Sequence, residues 1–529
     1  LITNARHLRG SHWLKFHRVN NARWHHDNIV LLGDAAHTAH FSIGSGTRLG
    51  LDDAISLTQN LHTHEDMAVA LCEYERTRRA RVLRVQSAAR NSTVWFENVS
   101  RYVHFPAEQF FYALLTRSQR LSHQSLGVRD PDWAQAYERW FAQQAGVDGE
   151  CPPMFTPYTI RGLELSNRIV VSPMSTYQAT EGQPDAFHLV HLGARALGGA
   201  ALIITEMTAV TPQGRITPRC AGIYDESHVN GWRAITDFVH EHTDAKIALQ
   251  LGHAGPRGST CPPCDGDNKP LAAGGWETLA PSAYQAWPGC ATPKEMTAAD
   301  MDAVVDAYVA ATERAERAGF DMIELHAAHG YLLAAFLSPL LNRRADQFGD
   351  SQFGRRRFPL RVFEAVRAAW PADKPISVRI SATDWVEGGL TPTDAVRVAA
   401  QFVAAGADII DVSSGQTTPD EKPVYGRMYQ TPLSDQIRNE AKVPTMAVGN
   451  IYLPDHVNSI IAAGRADLCC LGRPHLADPN WTLRAAMAQG ASVQWPAPYV
   501  AGGEQLARLW ARGEDLALVA QTYLGTEHE

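Results

Sequence analysis

The segment TAADMDAVVDAYVAATERAERAGFDMIELHAAHGY, residues 297–331, contains one whole unit of the fold. Thr297-Ala-Ala-Asp300 opens a helix as a capping box, with Asp in place of the more usual Glu. Met301, Val304, Val305, Tyr308 and Val309 then recur at helical spacing. Gly319 ends the helix where a left-handed residue is needed. Asp321 leads from it into the continuous apolar run 322–329. The same grammar returns downstream. Thr391-Pro392-Thr393-Asp394 opens a helix with Pro in its first turn, Gly406 closes it, and Gly406-Ala-Asp408 introduces the run 408–414. Gly464-Arg-Ala-Asp467 repeats the turn with one residue more.

Outward from these units there are eight such runs: 168–174, 201–206, 246–253, 322–329, 375–381, 408–414, 444–450 and 467–474. Short aliphatic runs alternating with helices predict parallel βαβ units, and uninterrupted apolar runs suit strands covered on both faces. The expectation is an α/β fold, a (β/α)8 TIM barrel over residues 151–498, followed by a helical tail at 499–529. Residues 1–150 read differently. A short strand at 28–32 ends in Gly33-Asp34, a helix is expected from about 46 to 61, and a charged helical stretch covers 73–90. No barrel repeat and no complete sheet is legible there.

Composition bounds the function. The 529 residues carry a net charge of -8, so no global basic field exists to hold nucleic acid or an anionic membrane. With 45% hydrophobic and 20% charged residues the chain is not mainly disordered. No apolar stretch approaches the ~18 residues of a membrane span. Eight cysteines in this length do not make a disulfide scaffold, and their usage suits a reducing cytoplasm. Cys261 and Cys264 form a C-x-x-C in a Pro-rich segment; no second pair completes a zinc set, so a loop with two thiols is expected. The first residue is Leu1 and no leader pattern follows, so the chain is expected to begin partway through a longer one.

Barrels place their chemistry at the C-terminal ends of the strands. Here those ends carry Ser172–Ser175, Glu206, Gln250 and His253, His326 and His329, Arg379, Ser413–Ser414, Gly449–Asn450 and Gly472–Arg473. The small residues and the Arg after strands seven and eight predict a phosphate-bearing cofactor or substrate. The pattern alone does not make that group a flavin. It also leaves His326 and His329 open, as a structural pair, a metal site or a ligand-binding pair.

Two segments resemble known families. Most of residues 152–498 resembles the old yellow enzyme family, in its bacterial ene-reductase branch. The resemblance rests on Phe155-Thr-Pro-Tyr-Thr-Ile-Arg-Gly-Leu-Glu-Leu-Ser-Asn-Arg-Ile169, Ser172-Pro-Met174 and Gln250-Leu-Gly-His-Ala-Gly255, and on His326-Ala-Ala-His-Gly-Tyr331, Leu337-Ser-Pro-Leu340, Ser413-Ser-Gly415 and Leu471-Gly-Arg473. It implies an FMN barrel that takes hydride from NADH or NADPH and passes it to an activated C=C. Residues Gly33-Asp-Ala-Ala-His37, Gly44-Ser-Gly46 and Asp53-Ala54 resemble the second flavin-contacting motif of FAD-dependent aromatic monooxygenases, with Phe41 and Thr47-Arg48 departing from it. Residues 1–150 are thus similar to the C-terminal part of such a domain. The G-x-G-x-x-G that a dinucleotide fold needs is missing, so hydroxylation by this chain is not expected. The pairing of the two parts resembles the 2-aminobenzoyl-CoA monooxygenase/reductases and the salicylyl-CoA 5-hydroxylases.

Residue roles follow from the resemblance. His326 and His329 would hold a carbonyl oxygen and stabilise enolate-like charge. Tyr331 would donate a proton, since a phenol stays protonated at neutral pH. Tyr177 would contact the same substrate. Ser172, Pro173, Met174 and Ser175 would lie against one edge of FMN, with Ser175 where relatives carry Thr or Cys and Met207 where they often carry a small residue. Gln250 would meet the pyrimidine edge, Arg379 would stabilise charge on the reduced ring, and Gly449, Gly472 and Arg473 would hold the phosphate. Gly33 and Asp34 would contact FAD in a complete protein. The expected substrate is a small molecule, an aromatic acyl-CoA if the fusion resemblance holds, with no metal, nucleic acid or membrane partner and with a homodimer as the expected assembly. A stand-alone enone or dienoyl-CoA reductase is the alternative enzyme; a flavin-free phosphate-binding barrel or inactive scaffold is the alternative of another class.

Overall fold

A computed structural model of the chain describes residues 17–266 and 269–512. The chain divides into two compact units, Leu1–Ser125 and Leu126–Glu529.

The second unit is a closed barrel. Its strands are β1 (Ile169–Val171), β2 (Leu202–Ile204), β3 (Lys246–Gly252), β4 (Met322–Ala327), β5 (Ile376–Ser381), β6 (Ile409–Ser413), β7 (Thr445–Ala447) and β8 (Leu468–Leu471). Each falls inside one of the eight runs read from the sequence. Each pairs in parallel with its successor, and β8 returns to β1 through Cys470 opposite Val170. The order β1 to β8 runs around the barrel, as a chain of right-handed crossovers gives. The outer helices are α1 (Ala186–Leu197), α2 (Ser227–His242), α3 (Ala298–Arg317), α4 (Gly354–Ala369), α5 (Pro392–Ala404), α6 (Thr431–Ala441), α7 (Pro454–Ala462) and α8 (Trp481–Ala488). Both expected capping boxes form: Thr297 and Asp300 open α3, and Thr391 and Asp394 open α5.

The repeated Asp before alternate strands has a mechanical role. Asp321 accepts the N–H of Ile247 at 2.8 Å, Asp408 that of Ile376 at 2.9 Å, and Asp467 that of Thr445 at 3.0 Å. In each case the backbone N–H of the Asp also donates to the carbonyl of the same residue. Each Asp thus fixes the start of the odd-numbered strand beside its own, where a ladder would otherwise fray. Inside, Val170, Leu202, Ala248, Met322, Ile409, Met446 and Leu468 form the lower core. A hairpin, Tyr158–Ile160 with Leu163–Leu165, adds Ile160 and Leu165 to it.

The helix Pro131–Gln144, which the sequence groups with the first 150 residues, belongs to the barrel unit. Its Tyr137 hydroxyl donates to the carbonyl of Ala462, at the end of α7, at 2.8 Å. Phe141 lies under the Arg168 guanidinium, which is 5.8 Å from its ring centre. Of the expected tail, the helix Val500–Ala511 is seen, and 513–529 lie outside the described residues.

The first unit is mainly helical, with a two-stranded hairpin, His25–His26 with Ile29–Val30, and the helices Gly46–Thr63, Met67–Glu97 and Ala107–Thr116. Trp24, Ala36, Leu49, Tyr74 and Val82 form its core. A fully buried carboxylate, Asp53, organises the Gly33-to-His37 motif. It accepts Gly33 N–H at 3.0 Å, contacts His37 Nε2 at 2.6 Å, and accepts Arg78 Nε at 2.8 Å. Gly33 has φ +59°, a left-handed conformation that glycine takes at no steric cost. No helix among the described residues is long and apolar enough to cross a membrane.

Candidate active site

Side chains two apart on a strand share a face. On β4 this sends Glu324 and His326 inward together; on β5, Ser377, Arg379 and Ser381; on β6, Asp411 and Ser413. The upper positions of these sets, with Gln250 of β3, line the mouth of the barrel.

His326, His329 and Tyr331 meet at the end of β4. The two imidazoles lie 5.1 Å apart and nearly perpendicular, at 80°. The Tyr331 ring stands edge-on to both, 4.9 Å from His326 and 6.4 Å from His329. A left-handed φ of +62° at His329 turns the chain there, and Ser381 Oγ holds its N–H at 2.9 Å. His326 Nδ1 accepts the N–H of Ala328 at 3.2 Å, so its proton sits on Nε2. His329 Nε2 lies 2.7 Å from Ser413 Oγ. Burial, reinforced by the nearby charge of Arg379, pushes both imidazoles well below their ordinary pKa. Both are therefore neutral hydrogen-bonding groups.

Tyr177 comes from the loop after β1, at φ +55°, and hydrogen-bonds with Ser175. Burial pushes its phenol up. Tyr177 and Tyr331 pack on a cluster of Met207, Ile216, Cys220 and Ala254. Met207 fits because residue 252 is glycine: a Cβ there would come within 2.5 Å of its side chain. Both tyrosines line a cavity of about 300 Å³, together with Arg257, Trp287, Cys261 and Gln416. Arg257 donates to the carbonyls of His329 at 2.8 Å and Gln416 at 3.0 Å, with Trp287 4.7 Å below its guanidinium. Reading the sequence did not single out Arg257 or Trp287. The only signal for Arg257 was its place two residues beyond the Gln250-to-Gly255 motif.

The cofactor candidates occupy the same mouth. Ser172 is buried and donates its N–H to the Leu471 carbonyl at 3.1 Å, setting Pro173, Met174 and Ser175 at the end of β1. Gln250, 2% exposed, gives one amide N–H to Glu324 at 2.8 Å. Arg379 is buried, and its Nε has no hydrogen-bond partner. Gly449 sits at φ +111°, where a Cβ would lie 2.4 Å from the Gln430 amide. Gly472 precedes Arg473, which is exposed. A buried guanidinium with donors to spare, an amide beside it, and two glycines at the ends of β7 and β8 suit the pyrimidine edge and the phosphate of FMN. Gly33 and the exposed Asp34 belong to the first unit.

Other motifs have structural uses. Arg344 is engaged by Asp346 at 2.6 Å and by Glu295 at 3.4 Å, and Arg343 stacks on Tyr284. Cys261 and Cys264 are free thiols.

Two family models match the chain. Residues 153–490 match the NADH:flavin oxidoreductase / NADH oxidase family, which covers more than half of the chain. The chain belongs to this family. As a member it is an FMN-dependent NAD(P)H oxidoreductase. Residues 2–89 match an FAD binding domain, so an FAD-type segment precedes the flavin oxidoreductase barrel. Curated relatives include the NADPH dehydrogenase of Geobacillus thermodenitrificans (strain NG80-2). It is 44% identical over 351 residues, covering 66% of this chain and 98% of the relative. The NADPH dehydrogenase of Clostridium acetobutylicum is 41% identical over 348 residues, covering 65% and 98%. Among solved structures, morphinone reductase superposes with a TM-score of 0.55 at 27% identity, over 66% of this chain and 92% of that one. A 2-naphthoyl-CoA reductase in complex with 2-naphthoyl-CoA gives 0.57 at 24% identity, over 64% of this chain and only 52% of that one; it shares the fold.

Proposed function

We propose that this chain reduces a C=C bond conjugated to a carbonyl, and that its substrate is a planar acyl-CoA thioester derived from an aromatic ring. The observation that carries this reading is the meeting of two neutral imidazoles and a phenol at one strand end. Ser172–Ser175, Gln250 and Arg379 would hold the ring of FMN and Gly449, Gly472 and Arg473 its phosphate, and the bound cofactor would pass on hydride from NADH or NADPH.

The protein's own groups do the rest. His326 Nε2–H donates to the substrate carbonyl oxygen. Ser413 gives its hydroxyl proton to His329 Nε2, leaving Nδ1–H as the second donor. Both donors strengthen as negative charge gathers on that oxygen, which is where a fixed dipole contributes most. Neutral imidazoles serve because they donate without adding another buried charge to the site. When the β carbon gains hydride, the α carbon gains the Tyr331 proton, so the double bond becomes a saturated CH–CH and the nicotinamide ends oxidised. Tyr177, Trp287 and the cation of Arg257 frame a slot for a flat conjugated ring.

A free cyclic enone is the second reading, favoured by the near-complete match of the barrel to relatives of its own length. The test is anaerobic. NADPH should bleach the visible flavin absorbance of the purified chain, and a dearomatised cyclic acyl-CoA should restore it faster than the matching enone. Faster recovery with the enone would install the second reading. Recovery only on admitting oxygen would refute both.

A further inference from the structure

Below the mouth of the barrel Arg379 meets a closed charged layer whose two carboxyl groups the reaction above does not use. Glu324, Ser377 and Asp411 are 0% exposed and Arg379 is 6% exposed. In the sheet register, Glu324 lies opposite both Gln250 and Ser377, and Arg379 lies opposite Asp411. Both oxygens of Glu324 are engaged, Oε1 by the Gln250 amide and Oε2 by the Ser377 hydroxyl, each at 2.8 Å. Asp411 accepts no hydrogen bond at either oxygen, and its Oδ2 lies 3.3 Å from Arg379 Nε.

Two carboxylates therefore share one fixed cation where water does not reach. The other titratable groups facing the layer are Cys470 on β8, His326 and His329, and Tyr331. Burial holds the Cys470 thiol far above its usual range and both imidazoles below theirs, so these three are neutral. A second bare carboxylate would remain uncompensated, at a prohibitive desolvation cost. One proton must stay in the layer. Asp411, beside the guanidinium, is the better place for the charge. Glu324, among neutral partners, is the better place for the proton, and Ser377 can accept it.

We propose that Glu324 and Asp411 are positioning residues that hold one proton between them and so set the net charge which Arg379 presents to the flavin ring. Burial raises both carboxyls, and the charge of Asp411 raises Glu324 further, in keeping with this assignment. The consequence is a neutral Arg379–Asp411 pair at neutral pH. It moderates how far the cation favours the negative charge that reduction adds. Loss of the Glu324 proton in alkali would disfavour that charge further.

This inference rests on placing the pyrimidine edge of FMN at Gln250 and Arg379, and the test separates the two ideas. The first arm needs no flavin. The infrared difference spectrum of the wild-type chain against Glu324→Gln should contain the C=O stretch of one protonated carboxyl at neutral pH, and that band should vanish in alkali. The second arm is a redox titration of the FMN-loaded chain. The double variant Asp411→Asn, Glu324→Gln should shift the reduction potential upward, since no carboxylate then offsets Arg379, and Arg379→Gln should shift it downward. Glu324→Gln should leave the neutral value in place and remove the extra fall in alkali. Absence of the carboxyl band overturns the proposal. So does a potential that moves in Arg379→Gln but not in the double variant Asp411→Asn, Glu324→Gln. A potential unmoved by Arg379→Gln shows instead that the flavin lies elsewhere, and the charge-setting role falls with that placement. Should the double variant fail to accumulate, the infrared arm decides.

Discussion

At the scale of single residues, the proposed reaction depends on His326 and His329 being neutral donors held at fixed angles. The double variant His326→Ala, His329→Ala should lose affinity for phenols that mimic the enolate. Each donor removed from a developing oxyanion lowers the rate of substrate reduction by ~10²–10³. Titrating the flavin spectrum with a phenol checks this, and unchanged binding would return the pair to a structural role. These residues were legible because they belong to a motif and end a strand. Glu324 and Asp411 were not singled out. They hide inside apolar runs, where a charged residue reads as an interruption. Their signal was the two-residue period: Glu324 precedes His326 by two, and Asp411 precedes Ser413 by two, so each pair must face the same interior. Arg257 escaped for another reason. It sits in a loop, and its approach to Tyr331 and Trp287 is set by chain folding that no local pattern encodes.

At the scale of elements, all eight strands and the two capping boxes could be read in advance, because continuous apolar runs and Thr-x-x-Asp punctuation are local signals. The Gly-x-Asp turns were legible as a repeat but not as clasps, since the group each Asp holds lies some 20 to 75 residues earlier in the chain. Asp408→Ala should leave the Ile376 N–H without its acceptor and cost about 1–3 kcal/mol. Urea denaturation measures this, and an unchanged midpoint would show the clasp to be dispensable. The helix Pro131–Gln144 carries no barrel repeat, so its attachment through Tyr137 could not be foreseen. A chain shortened to start at Leu126 keeps that helix and a barrel with no open edge. It should retain FMN, and a soluble but colourless product would place part of the flavin site in the first unit.

At the scale of the whole molecule, buried histidines set the acid limit. Burial lowers His253, His456 and His475 to about 4, and His326 and His329 lie well below their usual value. In the unfolded chain each titrates near ~6.5. Below that value the unfolded state binds protons that the fold refuses, so stability falls as pH drops from about 6.5 toward 4, by up to ~1.4 kcal/mol per unit for each histidine. Asp384 and the Glu324–Asp411 pair are raised and act in the opposite sense, since they keep protons in the fold, one of them shared by the pair, that the unfolded chain releases. The urea midpoint should therefore fall steadily in mild acid; a flat profile there would mean that these imidazoles are charged in the fold. The account as a whole stands on Tyr331 as the proton donor in a site built for a conjugated carbonyl. Stopped-flow comparison of the two half-reactions in Tyr331→Phe tests that most directly. Flavin reduction by NADPH should stay near the wild-type rate, while reoxidation by the unsaturated substrate slows by ~10²–10⁴. Equal slowing of both steps, or of neither, would contradict it.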